Sequence, residues 1–381
     1  MPEHHKVMIV KIKELLPCPN ADALYIVNPL GAYQCVVRKD DFKVGDLAVF
    51  IPPDSVVPCV PQFEFLWSDK EFINNEIPEK YRRITVRRFR KAWSEGLLMP
   101  ISTFFDIPNG GNQLRYFHEG DDVAEILGIT HYEEPEPAER LFGQNRNKPH
   151  WPPKTLKGWL YWFWHLLGFG GPMGGRSVKG PEYNPPVYKV EAFKNYNTAF
   201  TSDDDVIVTE KIHGTNARYT FDGTKMHAGS HYLWKSESSP CIWRRALKEM
   251  PWIEEMCKAY PGHTFYGELV PAQPGYTYGC KEGEIKLFVF DVLKPDDTYI
   301  DKIRINNLYL DSTKVVPVLY VGKFDLEKIQ AMVEGNSTVF GSNHLREGVV
   351  ISSPQEKHIF NLGRAQLKLK SMKFLEKERG K

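Results

Sequence analysis

A lysine at the end of a strand-forming run is the residue of this sequence with the clearest chemical potential. Lys211 follows "VIVTE" and precedes His213 and Gly214 in "TEKIHGTNARY" (209–219). A lysine is a nucleophile only when it is neutral, and an ordinary lysine, with a pKa of about 10.4, is almost wholly protonated near pH 7.5. Burial, a metal ion or nearby cations must therefore lower that pKa before Lys211 can act as a covalent nucleophile.

Cations and carboxylates occur in matching positions further along the chain. Lys368 and Lys370 alternate in "QLKLKS" (366–371), so they share one face of a strand, where they are placed to hold a phosphate and to depress the pKa of a third lysine. Glu268 ends "TFYGE" and Glu347 opens "EGVVIS", each beside a glycine. Carboxylates at strand ends are common ligands of hard metal ions and of ribose hydroxyls.

Two aromatic residues alternate in the strand-forming run "KLFVFDVL" (286–293). Phe288 and Phe290 share one face of such a strand, and one of them is placed to stack on a purine. Taken singly, these patterns have commoner interpretations, because lysine pairs usually mark a solvated strand face and Phe-x-Phe strands usually belong to a core. Their order along the chain is therefore more informative than any one of them.

The elements that must position these residues fall into two classes. Short alternating runs such as "VMIVKI", "YQCVVR" and "LAVFI" succeed one another up to about Leu127, with turn-forming residues between them, which predicts an all-β domain. From about Pro186, strand-like and helical runs alternate, which predicts an α+β domain. The predicted boundaries are 1–130 for the first domain, 131–185 for a linker and 186–381 for the second domain.

The predicted linker contains an aromatic insert, Trp151 to Phe169, with the run "WLYWFWHLLGF" (159–169). This run is shorter than the roughly 20 residues that cross a bilayer. It is interpreted as a buried helix or an inter-domain clamp, with contact to a partner or membrane surface as the alternative. The following "GGPMGGRS" (170–177) has Arg176 where a P-loop has lysine, so it indicates a glycine-rich loop and not a phosphate site.

The composition excludes several classes of protein. A formal net charge of +1 excludes a uniformly basic protein, although it allows basic surfaces that are balanced elsewhere. The six cysteines form no C-x-x-C pair, so neither a disulfide framework nor a zinc site is indicated. The N-terminal segment lacks an apolar core of signal-peptide length, so we expect an intracellular protein, cytoplasmic by default, with no membrane span.

Five motifs in order resemble those of the covalent nucleotidyltransferases, the superfamily of DNA ligases, RNA ligases and mRNA capping enzymes: "EKIHGTN", "FYGE", "FVFDV", "EGVVIS" and "KLKS". The K-x-H-G-T-N form is similar to the branch of RNA ligases that seal nicks in duplexes. Upstream, "PCPNADAL", "FKVGDLAVFIPPDSVVP" and "SEGLLMP" resemble the OB module of the Deinococcus-type RNA ligases. DNA ligases and capping enzymes carry their OB domain after the transferase domain, so the domain order also favours this RNA ligase family.

The resemblance implies an N-terminal all-β OB-fold barrel that binds RNA, followed by an α+β nucleotidyltransferase (ATP-grasp-like ligase) domain. It implies an ATP-dependent RNA ligase that joins 3′-OH and 5′-phosphate ends through lysyl-AMP and RNA-adenylate intermediates. The implied cofactors are ATP, whose AMP becomes attached to Lys211, and a divalent metal, Mg²⁺ or Mn²⁺. The implied partner is nicked duplex RNA or RNA:DNA, and no stable protein partner is implied.

The resemblance assigns the catalytic roles as follows. Lys211 is the nucleophile that carries AMP, and Lys368 and Lys370 are the pair on the α-phosphate. Glu347 is the metal-binding carboxylate. His213 is particular to the K-x-H-G branch, and the sequence leaves open whether it orients the phosphates or the nucleophile.

The resemblance also assigns the nucleotide contacts. The backbone of Glu210 reads the adenine amino group, and Gly214 allows a phosphate to approach the backbone. Asn216 lies near the ribose, and Glu268 binds the ribose hydroxyls. Phe290 stacks on the adenine.

One position departs from the family pattern. Many relatives carry Ser-Arg about twenty residues after the nucleophile, whereas this sequence has Ser230 and His231 in "GSHYLWK". If that arginine grips a phosphate, then His231, Lys235 or another cation must replace it here.

RNA binding by the first domain has support in the basic segment "RRITVRRFRK" (82–91), which we interpret as a strand on the RNA-binding surface of the OB domain. A merely soluble edge strand is the alternative. The candidate RNA-binding residues are Arg82, Arg83, Arg87, Arg88 and Arg90.

Three other functions remain to be distinguished. A DNA ligase or a GTP-using capping enzyme would share the transferase motifs. A catalytically inactive RNA-binding protein with the same fold would not need the intact set of lysines and carboxylates. A tRNA-binding OB protein with an unrelated second domain would leave the five ordered motifs unexplained.

Overall fold

The computed structural model describes residues 6–104, 117–132 and 178–379, apart from positions 20, 71, 73–76, 240, 273–274, 308–310 and 361. The aromatic insert and the glycine-rich run 170–177 lie outside these residues. The described residues form two compact units, of which the first comprises 6–132, 191–197 and 370–379, and the second 178–190 and 198–369. Each unit is described by itself.

The strands among the described residues are β1 Met8–Lys11, β2 Leu16–Cys18, β3 Ala21–Val27, β4 Cys35–Arg38, β5 Leu47–Ile51, β6 Ser55–Val56, β7 Arg87–Phe89, β8 Ala92–Ser94, β9 Leu97–Pro100, β10 Thr130–His131, β11 Glu191–Ala192, β12 Asp205–Lys211, β13 Thr215–Phe221, β14 Met226–Gly229, β15 Trp234–Lys235, β16 Thr264–Val270, β17 Lys286–Leu293, β18 Val318–Lys323, β19 Gly348–Ser352, β20 His358–Ile359, β21 Gly363–Arg364 and β22 Gln366–Lys370. The α-helices are α1 Glu79–Arg82, α2 Ile242–Glu249, α3 Trp252–Ala259, α4 Leu326–Val333 and α5 Met372–Arg379. None of the described helices combines the length and the apolarity that a membrane crossing requires.

The first unit is built on small antiparallel sheets, β1-β5-β9 and β2-β3-β4. The central strand β5 is buried on both faces because its alternate residues enter different apolar clusters. Val49 and Ile51 belong to one cluster, whereas Ala48 and Phe50 belong to the other. Apolar clusters cover both faces of β5, which explains why the run "LAVFI" is continuously apolar, whereas many antiparallel strands expose one face.

The basic segment 82–91 is not the single strand that its pattern predicts. Arg82 ends the helical turn α1, and β7 begins only at Arg87. Ile84 and Val86, which lie between them, are 4% and 3% exposed. Arg83 forms an antiparallel bridge with Val56, and Ile84 exchanges backbone hydrogen bonds with Ser55 and Asp54, so both pairing and burial determine the path of this segment.

The end of the same segment forms a hairpin. Strands β7 and β8 pair antiparallel, with Phe89 opposite Ala92. The two residues between them, Arg90 and Lys91, have φ angles of 48° and 74°. Two consecutive left-handed residues match the twist of a two-residue hairpin turn, so both basic side chains lie at its tip.

Two sheets form the frame of the second unit. One is antiparallel with the strand order β15-β14-β13-β16-β17, and the other contains β22, β19, β12 and β18 in that order. Strand β12 runs antiparallel to both of its neighbours, β18 and β19. The predicted strands around Lys211, Glu268, Phe290 and Glu347 are present as β12, β16, β17 and β19.

Helices α2 and α3 cover the antiparallel sheet of the second unit. Trp243 of α2 and Met256 of α3 are fully buried in its core, against Ala217 of β13. The helical run predicted over residues 240–260 is divided at Pro251, because proline has no N–H to continue the preceding helix. The prediction of an α+β second domain is confirmed.

Candidate active site

Lys211 and Glu347 meet because their strands end side by side. Lys211 is the last residue of β12 and is paired with Gly348, the first residue of β19. The distance from Lys211 Nζ to Glu347 Oε2 is 2.7 Å, and the two side chains are 26% and 6% exposed. A charge-assisted hydrogen bond of this length fixes the position of the lysine amine.

His213 approaches the same carboxylate. Its Nδ1 lies 3.6 Å from Glu347 Oε2. Its backbone N–H donates to Tyr278 Oη at 2.7 Å, and its ring meets that of Tyr276 edge-on at 4.8 Å between centroids. His213 is thus fixed through its backbone and its ring, which places it to orient Glu347 and, through Glu347, the amine of Lys211.

Glu268 and Asn216 are opposite each other on β16 and β13. Glu268 Oε1 accepts a hydrogen bond from Gly214 N–H at 3.0 Å. Burial raises the pKa of Glu268 to about 7, with Lys211 opposing this rise and Glu347 adding to it. The site therefore holds a carboxyl group that titrates near neutral pH.

The structure gives Gly214 a role in packing, whereas the resemblance assigns it to the approach of a phosphate. A Cβ at this position would overlap the carbonyl oxygen of Leu269 and would lie 2.9 Å from Glu268 Cγ. Without a side chain, the segment after β12 can pack directly against β16. This close approach brings the Gly214 N–H to Glu268.

Phe290 occupies a β-bulge. Across β16 and β17, Gly267 is paired with Val289 and Tyr266 with Asp291, so Phe290 is the extra residue. A bulge re-aims the side chain that it carries. The half-buried Phe290 ring lies 4.8 Å from that of Tyr188.

A cavity of about 190 Å³ is lined by most of the residues that are predicted to bind the nucleotide. Backbone and side-chain atoms from both sheets of the second unit line it. The lining residues are Tyr188, Val190, Thr209, Glu210, Lys211, Ile212, Asn216, Glu268, Phe290, Lys302, Val316, Val350, Gln366 and Lys368.

A buried ionic cluster lies directly behind Phe290. Asp291 is fully buried, with its Oδ2 2.7 Å from Lys302 Nζ and 2.8 Å from Arg364. Burial alone would raise the pKa of Asp291, but Lys302 and Arg364 hold it below its ordinary value. Lys302 Nζ also donates to the carbonyl oxygen of Phe290 at 2.8 Å, so the cluster clamps the backbone of the bulge.

The two lysines of β22 have different surroundings. Lys368 lines the cavity, whereas Lys370 is not among the lining residues. Lys370 Nζ lies 3.9 Å from Asp54 Oδ2 in the first unit. Lys370 and Arg83 together lower the pKa of Asp54 against the opposing effect of burial.

The side chain of Glu210 is held away from a direct role in nucleotide binding. Its Oε2 accepts hydrogen bonds from the N–H and the hydroxyl of Thr338, at 2.8 and 2.7 Å. Its backbone N–H donates to the carbonyl oxygen of Pro317 at 2.8 Å. Glu210 is among the residues that line the cavity, and the contact of its backbone with a nucleotide stays a prediction.

Neither cation suggested in place of the family arginine lines the cavity. Lys235 is buried with its Nζ 4.5 Å from the ring centroid of Trp243. The ring of His231 packs edge-on against Tyr232 at 4.3 Å. The substitute for the arginine is not identified by these contacts.

The five candidate RNA-binding arginines divide into two groups. Arg82 donates to the carbonyl oxygen of Val57 at 3.1 Å, and Arg83 pairs with Asp54. In the hairpin, the guanidinium of Arg88 lies 5.1 Å from the ring centroid of Trp93. Arg90 is exposed at the hairpin tip. Arg87, at the start of β7, is half-buried.

The donor set near Lys211 has one close carboxylate, Glu347, for a metal ion. Among the described residues, no group of three or more histidine, cysteine, aspartate or glutamate side chains is arranged to hold a metal. Magnesium-like ions are commonly held by one or two carboxylates together with water and phosphate oxygens. The residues present fit an ion that is completed by a substrate's phosphates.

Sequence reasoning missed four polar residues of the cavity, Tyr188, Thr209, Lys302 and Gln366. Gln366 stands two residues before Lys368, so the alternation of "QLKLK" contains a signal for its direction. Tyr188 and Lys302 come from segments remote from every motif. Only the folded chain brings them to the site.

Two family models match the chain. The RNA ligase model matches residues 204–370, and an OB-fold domain model matches residues 6–101. These matches confirm the predicted resemblance and the order of the two domains. No curated protein matches the chain at a significant level.

Solved structures of a Naegleria gruberi RNA ligase are similar to this chain over nearly its whole length. An apo form of one variant has a TM-score of 0.71 at 20% identity and covers 99% of both chains. A variant with AMP and manganese has a TM-score of 0.71 at 21% identity, covering 99% of this chain and 100% of that chain. A variant with ATP and manganese has a TM-score of 0.70 at 20% identity, covering 98% and 99%. At these identities the likeness establishes the fold, an OB-fold domain followed by an α+β ligase domain.

Proposed function

Since the chain carries an RNA ligase family domain at residues 204–370 behind an OB-fold domain at residues 6–101, we propose that it is an ATP-dependent RNA ligase that joins 3′-OH and 5′-phosphate ends at nicks in duplex RNA or RNA:DNA. One observation carries the proposal. The amine of Lys211 lines a cavity together with Lys368, Glu268 and Phe290, and Glu347 holds that amine at 2.7 Å.

The first step is transfer of AMP to the protein. The Nζ of Lys211, neutral once it has lost a proton to solvent, attacks the α-phosphorus of ATP. A P–N bond forms with loss of a second proton, the bond from the α-phosphorus to the α–β bridging oxygen breaks, and pyrophosphate leaves. Lys368 neutralises charge on the α-phosphate. Holding the amine and the phosphate in one place lowers the entropic cost of the displacement.

Two further displacements complete the joining reaction. A 5′-phosphate oxygen on RNA attacks the lysyl-bound phosphorus, which breaks the P–N bond and returns the amine of Lys211. The 3′-OH then attacks the 5′-phosphorus, forms the phosphodiester, releases its proton and expels AMP. Each step exchanges one bond at phosphorus for another, so the sequence requires no redox partner.

The remaining residues of the cavity bind the nucleotide. Glu268 and Asn216 face the ribose hydroxyls, and Phe290 stacks on the adenine, whose amino group meets the backbone of Glu210. Glu347 is the residue that would hold a divalent ion, Mg²⁺ or Mn²⁺. Such an ion supplies positive charge next to the phosphate oxygens. The solved Naegleria gruberi variants with ATP or AMP and manganese support this choice of ligands.

The mechanism is tested by covalent labelling. The protein is incubated with α-labelled ATP or GTP and a divalent metal, then denatured and examined for bound label. We expect label from ATP alone, abolished in Lys211→Ala and retained in the control Lys225→Ala, whose lysine lies in an exposed turn. The wild type and both variants are then compared for binding and sealing of nicked RNA duplexes and for sealing of nicked DNA duplexes.

Each alternative function has its own outcome in this experiment. Label from GTP would indicate a capping-type enzyme, and sealing confined to all-DNA nicks would indicate a DNA ligase. Absence of label with retained RNA binding would indicate a catalytically inactive RNA-binding protein. Label that survives in Lys211→Ala would contradict the assigned nucleophile.

A further inference from the structure

Gln366 is a buried polar side chain of the cavity to which the proposed mechanism gives no role. It lies two residues before Lys368 on β22, and both line the cavity, so they are about 7 Å apart along one strand face. Thr209 and Lys211 have the same spacing on β12. Since the lysines mark the phosphate end, Gln366 belongs to the end that receives the base.

Tyr188 connects Gln366 to the predicted base-stacking residue. The Tyr188 ring lies 4.8 Å from that of Phe290, and its hydroxyl oxygen is 2.7 Å from Gln366 Nε2 and 2.9 Å from Gln366 Oε1. A base stacked on Phe290 therefore presents its edge close to the Gln366 amide. Glutamine is suited to such an edge because its amide carries both a donor and an acceptor.

The orientation of the Gln366 amide follows from the protons around it. Tyr188 has a single hydroxyl proton, and it donates that proton to Asp291. The Asp291 carboxylate is paired with Lys302 and Arg364, so it is ionised and can only accept. Tyr188 Oη must therefore accept from Gln366 Nε2, and Oε1 of the amide keeps its capacity to accept from a ligand.

The side chains of Lys302 and Thr209, which also line the cavity, do not discriminate between bases. Lys302 Nζ already donates to Asp291 at 2.7 Å, to the Phe290 carbonyl at 2.8 Å and to Tyr188 Oη at 3.3 Å, which accounts for its three protons. The hydroxyl of Thr209 rotates, so it can either donate or accept. A fixed acceptor is offered by the Gln366 amide.

We propose that Gln366, oriented by Tyr188 and Asp291, is a specificity-determining residue that selects adenine over guanine by accepting a hydrogen bond from the 6-amino group. Adenine presents N6–H₂ as a donor at this position, whereas guanine presents the O6 acceptor. Guanine would set O6 against Oε1 with no proton between them. The inference rests on the proposed function, because it assumes that the cavity binds the nucleotide.

The test compares nucleotides that differ at position 6. ATP, purine riboside triphosphate, which lacks the amino group, and GTP are each supplied below saturation, and intact-protein mass spectrometry follows the adduct on Lys211. For the wild type we expect purine riboside triphosphate to react roughly five- to a hundredfold more slowly than ATP, because the missing amino group removes two neutral hydrogen bonds, one to Gln366 and one to the backbone of Glu210, each worth roughly two- to tenfold. The matched control is Gln355→Leu, because Gln355 is an exposed glutamine of the same unit.

In Gln366→Leu we expect the ratio of the ATP rate to the purine riboside triphosphate rate to fall roughly two- to tenfold, mainly because the reaction with ATP slows. The backbone contact of Glu210 is present in every variant, so it cancels in the comparison of ratios. Tyr188→Phe, which removes the hydroxyl that orients the amide, should lower the same ratio and raise the relative reaction with GTP. This second variant keeps the test decisive if Gln366→Leu fails to fold.

The outcomes separate the two proposals. An ATP adduct with an unchanged ratio in both variants would overturn the role of Gln366 and leave the ligase chemistry standing. A wild type that does not distinguish ATP from purine riboside triphosphate would do the same. No adduct from any nucleotide would overturn the proposed function, and the inference with it.

Discussion

Glu268 combines a predicted contact to the ribose with a pKa of about 7, well above the ordinary value of about 4.3 for glutamate. Near neutral pH a large fraction of the molecules therefore carries a protonated carboxyl inside the cavity. The ionised form accepts hydrogen bonds more strongly than the neutral form. Binding of the ribose hydroxyls should consequently favour the ionised form of Glu268.

We predict that the rate of self-adenylylation rises as the pH passes through about 7. Part of this rise comes from Glu268, because ionisation converts it to an acceptor of charge-assisted hydrogen bonds. Glu268→Gln has no proton to lose, so its rate should be lower at pH 8 and its pH profile flatter between pH 6 and 8. An unchanged inflection in the variant would assign the titration to another group.

The raised pKa of Glu268 also predicts how the free energy of unfolding changes with pH. The folded-state pKa of Glu268 is raised, so the native protein binds more protons than the unfolded chain between about pH 4.3 and 7. The free energy of unfolding of the nucleotide-free protein should fall as the pH rises through that window. Glu268→Gln should remove this fall, on the order of 1 to 3 kcal/mol, in urea titrations at pH 5 and 8. Equal pH dependence in both proteins would contradict the prediction.

At the scale of elements, strand β17 contains a β-bulge that determines the direction of the Phe290 side chain. The bulge at Phe290 is held by Asp291, whose two cationic partners, Lys302 and Arg364, come from distant parts of the second unit. The cluster thus couples the direction of the Phe290 ring, which is predicted to stack on the base, to the packing of three segments. Removing the carboxylate would leave the buried Lys302 without its ion-pair partner, whereas Arg364 would keep its pair with Glu356.

We predict that Asp291→Asn lowers the free energy of unfolding by about 3 to 5 kcal/mol, as is typical when one member of a buried ionic cluster is removed. Urea denaturation measures the change. The matched control is Asp203→Asn, because Asp203 has an exposed side chain and should alter stability little. A change of similar size in both variants would show that the cluster has no special contribution.

The strands that carry the site could be predicted because their residue patterns are local. "VIVTEK", "TFYGELV" and "EGVVIS" alternate or run apolar over the length of one strand, and the structure has β12, β16 and β19 there. The bulge could not be predicted, because nothing in "FVFDV" marks an interruption of the strand. The extra residue is defined only by the pairing with the neighbouring strand. Tyr188 and Lys302 were missed for the same reason, since tertiary packing alone brings them to the cavity.

At the scale of the whole molecule, the proposed RNA contact depends on which arginines are available. Arg82 and Arg83 are engaged within the first unit, by the carbonyl oxygen of Val57 and by Asp54. The sequence identified the basic segment but could not rank its arginines, because burial of Ile84 and Val86 decides which ones turn inward. The hairpin residues Arg88 and Arg90 are therefore the preferred candidates.

We predict that Arg88→Ala and Arg90→Ala weaken binding to nicked RNA without changing the rate of self-adenylylation. Each lost phosphate contact should reduce the slope of log affinity against log salt by about one. Filter binding at several salt concentrations measures the slope, and covalent labelling with ATP provides the comparison. Loss of adenylylation in step with RNA binding would argue against a separate RNA-binding role for this hairpin.

The first unit is drawn from three separated stretches of the chain, which has a consequence for biosynthesis. Its members include residues 191–197 and 370–379, with Phe193 and Phe374 each only 3% exposed. Although most of this unit is translated first, those two aromatic side chains reach the ribosome exit much later, Phe374 only after residues 204–370, which the RNA ligase model matches. The unit that begins the chain therefore acquires its last members only when its final segment has been made, so its early strands must persist without them while the rest is translated.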